Sequence, residues 1–108
     1  MQSSESVLWA QMGGWTPPAQ FSAVEQGYLA IALAWPDSSI EEEGYSLERS
    51  TDGQYWQMIA ELSADTQRYV DYGLARHTAY WYRLTAHSQG SSEVHTVGTV
   101  TGLGYSHL

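Results

Sequence analysis

The sequence predicts an all-β protein, a sandwich of seven antiparallel strands with an extension at each end. Apolar and polar residues alternate with a period of two in several segments, most clearly at 28–35, 45–50 and 80–86, as they do in strands that are buried on one face. Turn residues separate these segments at short intervals. The 108 residues fit one domain, and a chain of this size buries enough surface to fold without staples.

The first two strands follow Pro17-Pro18, where we place the start of the domain. Phe21 and Ala23 fit the inner face of the first strand, and Gly27 ends it. The second strand, over 28–35, alternates large residues with alanines. The large residues predict its core face; they are Leu29, Ile31, Leu33 and Trp35.

A hairpin is predicted in the middle of the chain, because Asp52-Gly53 tolerates the positive φ that tight turns require. Before the turn, Tyr45, Leu47 and Arg49 share one face. After it, four apolar residues share one parity and are expected to face inward; they are Trp56, Met58, Ala60 and Leu62. Ile59 has the other parity, which indicates a β-bulge.

Three further strands complete the pattern. A short strand places Tyr69 and Asp71 on the same side, and the β-branched segment 94–101 reads as the last strand. The strand between them has an inner and an outer set of side chains. The inner set is Tyr80, Tyr82, Leu84 and Ala86, and the outer set is Trp81, Arg83, Thr85 and His87.

Four landmarks, in order, resemble those of a fibronectin type III domain. They are Trp35 in Leu33-Ala34-Trp35, Tyr45 in Gly44-Tyr45-Ser46-Leu47, Leu74 six residues before Tyr80, and the strand Tyr82-Arg83-Leu84-Thr85-Ala86. The resemblance covers residues 17–101 and implies a two-sheet sandwich. It also implies that Tyr80 forms a tyrosine corner, in which the hydroxyl is hydrogen-bonded to upstream backbone. The implied structural core is Trp35, Tyr45, Leu74, Tyr80 and Tyr82.

Two departures from this family limit what the resemblance implies. Arg76-His77 stands where the family often has Pro-Gly, which reshapes a turn. The chain has no Arg-Gly-Asp tripeptide, so the integrin-binding mode of some family members is not implied.

The composition argues against two classes of partner and leaves the compartment open. The net charge is −8, with no lysine, so nucleic acid and anionic membrane surfaces are not expected as partners. No cysteine is present, which leaves the redox compartment open. The first residues lack the basic and apolar regions of a signal peptide. We therefore expect either a protein that acts where it is made or part of a longer chain, and the initial Met favours the first.

No residue pattern predicts an enzyme, a cofactor or a metal site. There is no Gly-x-Ser-x-Gly motif, and the four histidines lack metal-ligand spacing. Asp37 and the run Glu41-Glu42-Glu43 offer oxygen ligands, but their spacing fits no standard calcium loop, so a solvated loop is expected. Glu48 is expected to pair with Arg83 across the sheet, and Asp71 to accept backbone hydrogen bonds.

Interface candidates fall into two groups. Trp81, with Arg83 and Glu48, is expected on an outer sheet face, where Trp and Arg are typical anchors; alternatively, the N-terminal segment covers Trp81, or the indole lies over Arg83. Trp56 is a weaker candidate because its parity makes it partly core. The second group is apolar residues of the N-terminal arm (1–16) and the C-terminal tail (102–108), namely Leu8, Trp9, Met12, Trp15, Leu103, Tyr105 and Leu108.

These observations predict a non-enzymatic structural or protein–protein interaction module. The two apolar arms favour an accessory subunit of a larger assembly, such as a head-decoration or tail component of a phage virion. Its partners would be copies of itself or capsid or tail proteins, and its location the virion or the extracellular space. The alternative is a spacer or carbohydrate-binding domain from a secreted multidomain bacterial enzyme or adhesin, in which Trp81 or Trp56 stacks on sugars.

Overall fold

The computed structural model describes residues 17–27, 29–38 and 41–102 of the chain. Within these ranges the chain forms seven strands, and each pairing is antiparallel. They are β1 (Ser22–Glu25), β2 (Ile31–Ala34), β3 (Gly44–Ser50), β4 (Gln57–Ser63), β5 (Arg68–Asp71), β6 (Ala79–Ser88) and β7 (Ser91–Val100). The predicted all-β class is confirmed.

The strands form two sheets that pack face to face. One sheet has the order β1-β2-β5 and the other the order β4-β3-β6-β7. The chain changes sheet between β2 and β3, between β4 and β5, and between β5 and β6, so the connections themselves tie the two sheets together. Within the described ranges, no helix is long and apolar enough to cross a lipid bilayer.

Side chains from both sheets interlock in one core. The predicted core residues are all buried, and Trp35 and Tyr82 are among the largest fully buried side chains. The Trp35 ring meets Phe21 edge-on at a centroid distance of 6.0 Å, and its Nε1 donates a hydrogen bond of 2.8 Å to the carbonyl of Thr66. The predicted inward positions of β2 are confirmed, since Ile31 and Leu33 are buried and Leu29 packs against the core.

The tyrosine corner implied by the resemblance is present. The backbone amide of Ala75 donates a hydrogen bond of 2.9 Å to the hydroxyl of Tyr80, and Leu74 is buried beside it. This bond fixes the connection between β5 and β6 across the end of the sandwich.

Asp71 joins the two sheets through side chains, which corrects the expectation that it accepts backbone hydrogen bonds. Its carboxylate receives two hydrogen bonds from Nη1 of Arg49, at 3.1 and 2.8 Å, and one of 2.8 Å from the Tyr82 hydroxyl. Asp71 lies on β5, whereas Arg49 and Tyr82 lie on β3 and β6 of the facing sheet. A buried carboxylate needs such partners, and these groups face it from the opposite layer.

The predicted β-bulge lies in the β3–β4 pairing. Leu47 pairs with Ala60 and Glu48 pairs with Met58, so Ile59 is the extra residue. Because a bulge shifts the alternation of faces by one residue, Ala60 and Leu62 pack on the core as expected, whereas Met58 is half exposed. The expectation that Trp56 and Met58 share their inward face was therefore wrong.

Candidate interaction surface

The outer face of the four-stranded sheet carries the residues that the sequence singled out. Because paired residues of neighbouring strands point to the same side of a sheet, the β3–β6–β7 registers place them in adjacent rows. One row is Ser50, Trp81 and Gly98, and the next is Glu48, Arg83 and Thr96. The predicted outer position of Trp81 and Arg83 is confirmed.

Glu48 and Arg83 form the predicted cross-strand ion pair. Nε of Arg83 donates to Oε1 of Glu48 at 2.8 Å, and Nη2 donates to Oε2 at 3.1 Å. The two parallel bonds give the guanidinium one orientation. The hydrogen bonds from Arg83 hold the pKa of Glu48 below its usual value, and Glu48 in turn raises the pKa of Arg83.

Trp56 is a stronger interface candidate in the structure than its parity in the sequence indicated. The guanidinium carbon of Arg83 lies 4.4 Å from the centroid of the Trp56 ring, which is cation–π geometry. The bulge at Ile59 turns Trp56 to the outer face, so it contacts Arg83 instead of the core. The only sequence signal for this was the parity of Ile59.

Trp81 is half-buried by its own sheet. Gly98 lies beside it on β7, and a Cβ atom at Gly98 would come within 2.9 Å of the indole. A Cβ at Gly53, in the turn before β4, would lie 3.9 Å from the same ring. The indole therefore lies against Gly98, and the aromatic ring that the Arg83 guanidinium contacts is that of Trp56.

Exposed apolar side chains border these residues. Met58, Val94 and Val100 are 49%, 52% and 57% exposed, and their pairings with Glu48, Thr85 and Ala79 put them on the same outer face. We call this surface the aromatic face; it consists of Trp56, Met58, Trp81, Arg83, Val94 and Val100.

The arm candidates lie outside the described residues, namely Leu8, Trp9, Met12, Trp15, Leu103, Tyr105 and Leu108. Their predicted role as assembly elements stays a prediction.

The structure also groups acidic side chains that are far apart in sequence. One carboxylate oxygen each from Asp37, Glu42 and Asp65 lie within 4.8 Å of one another. Sequence reasoning named Asp37 and Glu42 but not Asp65. These residues lie at one end of the sandwich, outside the aromatic face.

Solved structures similar to this chain share its sandwich. The sixth fibronectin type III domain of human fibronectin type III domain containing protein 3 is 17% identical over 89% of this chain and 95% of its own, with a TM-score of 0.67. A Fn3-like protein from Clostridium thermocellum is 26% identical over 86% of this chain and 98% of its own, with a TM-score of 0.62.

A third similar structure is a much longer enzyme. In the β-1,2-glucanase from Parabacteroides distasonis the match is 20% identical and covers 81% of this chain but 14% of that one, with a TM-score of 0.62. No protein-family model and no curated protein sequence matches the chain. The structural likenesses show the fold, which occurs both as separate domains and within longer proteins.

Proposed function

We propose that this chain, which has the fibronectin type III fold, is a non-enzymatic interaction module that binds a protein through the aromatic face. One observation carries the proposal: Arg83 is held between Glu48 and Trp56 on a sheet face that also presents Trp81.

The chemistry of the face suits a protein partner. Trp and Arg are enriched among residues that dominate binding energy. Arg83 is already ordered by two hydrogen bonds and a ring contact, so binding costs little of its side-chain entropy. Its side chain is still 34% exposed, which leaves the guanidinium edge accessible. Met58, Val94 and Val100 add apolar area around it.

For the biological context, we infer an accessory subunit of a larger assembly, such as a head-decoration or tail component of a phage virion. The support is the composition of the chain ends, where Leu8, Trp9 and Trp15 precede the domain and Leu103 and Leu108 follow it. Large apolar residues next to a folded domain favour docking on a neighbouring subunit. The neighbour would be another copy or a capsid or tail protein.

A carbohydrate-binding or spacer role is the second candidate. It is supported by the similar domain in the P. distasonis β-1,2-glucanase and by Trp56, whose flat ring lies on the outer face beside Arg83. Under this reading the domain belongs to a longer secreted protein, and the aromatic face stacks on sugar rings.

Site-specific photo-crosslinking tests the protein-binding proposal. A photoreactive phenylalanine analogue is placed at Val94 in the aromatic face and, as a matched control, at Val24 on β1, which is 58% exposed. Crosslinking is carried out in cells that produce the chain, and partners are identified by mass spectrometry. We expect a discrete protein adduct from position 94 that position 24 does not give.

Two results would overturn the proposal. Equal crosslinking from both positions would mean nonspecific contact. No adduct from position 94, together with glucan-oligosaccharide binding that Trp56→Ala abolishes, would favour the carbohydrate role. Light scattering on the full chain and on residues 17–102 separates the contribution of the arms, since self-association through them disappears in the shorter chain.

A further inference from the structure

The pairing registers of both sheets, extended beyond the ends of the strands, lead to one residue of the β4–β5 turn, Asp65. The β3–β4 ladder pairs Gly44 with Ser63, and continuing that antiparallel register by two residues sets Glu42 opposite Asp65. The backbone amide of Asp65 donates a hydrogen bond of 3.0 Å to Oε2 of Glu42, which holds the two residues together.

The register of the other sheet leads to the same residue. The β2–β5 ladder pairs Ala34 with Arg68, and the amide of Trp35 donates a hydrogen bond of 3.0 Å to the carbonyl of Gln67. Continuing this register by two more residues sets Asp37 opposite Asp65. Three carboxylates are therefore brought together by the topology of the sandwich, with oxygens within 4.8 Å of one another. A shared cation would relieve their mutual repulsion.

A buried hydroxyl with no hydrogen-bond partner among the described residues belongs to Tyr45, which lines the same cleft as Asp37. Tyr45 is 3% exposed, and its hydroxyl oxygen has no partner among the described residues. Its ring packs on Trp35 at 5.7 Å, and the Trp35 nitrogen is bound to Thr66, next to Asp65. Buried polar groups rarely stay unpaired.

We propose that Asp37, Glu42 and Asp65 bind one calcium ion, with the Tyr45 hydroxyl as a neutral oxygen at the inner wall of the site. Calcium accepts six to eight oxygens at about 2.3–2.6 Å, so oxygens on opposite sides of the ion are about 4.6–5.2 Å apart. The three carboxylate oxygens lie within 4.8 Å of one another, which is compatible with that span. Calcium is proposed in preference to magnesium because magnesium demands near-ideal octahedral geometry and retains several waters. Asp37 and Asp65 are exposed, so water completes the coordination.

The site does not depend on a standard calcium loop. The ligands come from two connections: Asp37 and Glu42 lie in the segment between β2 and β3, and Asp65 lies in the β4–β5 turn. Binding would hold these two connections together at one end of the sandwich, and it is independent of the aromatic face.

Terbium luminescence tests the proposal. Tb³⁺ substitutes for Ca²⁺, and excitation of Trp35 and Tyr45 should sensitise its emission. We expect Ca²⁺ to displace Tb³⁺ with a dissociation constant on the order of 10⁻⁴–10⁻³ M, as in extracellular calcium modules. Asp65→Asn and Glu42→Gln should weaken Ca²⁺ binding at least about tenfold, because each removes a charged ligand.

Glu41→Gln is the matched control, since Glu41 is exposed in the same acidic run but is outside the cluster; it should stay within about twofold of the unchanged protein. Ca²⁺ should also raise the Tm of the unchanged protein and not that of Asp65→Asn. Failure of about 10 mM Ca²⁺ to displace Tb³⁺, or an equal loss in Glu41→Gln, would overturn the proposal. Thermal unfolding in EDTA confirms that each variant is folded.

Discussion

The guanidinium of Arg83 lies against the ring of Trp56, with 4.4 Å between the guanidinium carbon and the ring centroid. The two residues are brought together by a single extra residue in β4, since without the bulge Trp56 would point to the other side of the sheet. A local irregularity thus changes a position expected in the core into part of the aromatic face.

Trp56→Ala should destabilise the protein by about 1–2 kcal/mol, because it removes a cation–π contact and apolar area on the sheet. Urea unfolding measures the change. The matched control is Tyr55→Ala, because the Tyr55 side chain is next to Trp56 in the sequence and is 81% exposed. Its loss of stability should stay within about 0.5 kcal/mol. Equal losses in the two variants would contradict the contact.

Gly98→Ala should displace the Trp81 indole, because the new Cβ would lie 2.9 Å from the ring. The indole N–H resonance of Trp81, assigned with Trp81→Phe, is expected to shift in a two-dimensional ¹H–¹⁵N spectrum. Gly102→Ala is the control, since its Cβ would meet only the Glu25 carboxylate at 3.7 Å. An unmoved Trp81 resonance in Gly98→Ala would show that the indole is not lodged against the strand.

The sequence was sufficient for the fold because the inward positions alternate strictly. Leu29, Ile31 and Leu33 define one face of the chain without tertiary information, as do Tyr80, Tyr82 and Leu84. The tyrosine corner could also be predicted, since it depends on a local spacing between Leu74 and Tyr80.

The candidate site was only partly predictable. The Glu48–Arg83 pair follows from strand alternation, but the contact of Arg83 with Trp56 depends on where the ladder slips. The grouping of Asp65 with Asp37 and Glu42 depends on two registers in two sheets, and a linear sequence does not contain either register. The same holds for Asp71, whose partners come from the facing sheet.

Asp71→Ala should be far more destabilising than Glu48→Ala, although each removes the acid of an arginine ion pair. Asp71 is buried and joins both Arg49 and Tyr82, so its loss leaves partly buried polar groups without a partner, which costs about 3 kcal/mol. The Glu48–Arg83 pair is partly exposed, and such pairs contribute about 0–1 kcal/mol. Chemical denaturation of the two variants checks the difference, and similar losses would refute the bridging role of Asp71.

Tyr80→Phe should destabilise the protein by about 1 kcal/mol, because it removes the hydroxyl that accepts the hydrogen bond from Ala75. Tyr72→Phe, at a side chain that is 68% exposed, should leave stability unchanged. Urea midpoints of the two variants provide the measurement, and a neutral Tyr80→Phe would show that the corner bond does not stabilise the fold.

Tyr45→Phe is expected to behave in the opposite way to Tyr80→Phe. At pH 7 in EDTA, removing a buried hydroxyl that has no partner among the described residues should leave the free energy of unfolding unchanged or slightly increased. A loss above about 1 kcal/mol would show that the hydroxyl has a stabilising partner without a metal.

Alkaline unfolding gives the second half of this prediction. Burial, aided by nearby carboxylates, raises the pKa of Tyr45 from 10.0 to about 12 in the folded protein. Between these values the unfolded chain releases the proton while the folded protein retains it, so the folded protein loses stability as pH rises from 10 to 12, with no effect of this group below pH 10. The loss amounts to about 2–3 kcal/mol. Tyr45→Phe should therefore lose less stability than the unchanged protein between pH 10 and 12 in urea titrations. Identical pH profiles would mean that Tyr45 ionises equally easily in both states.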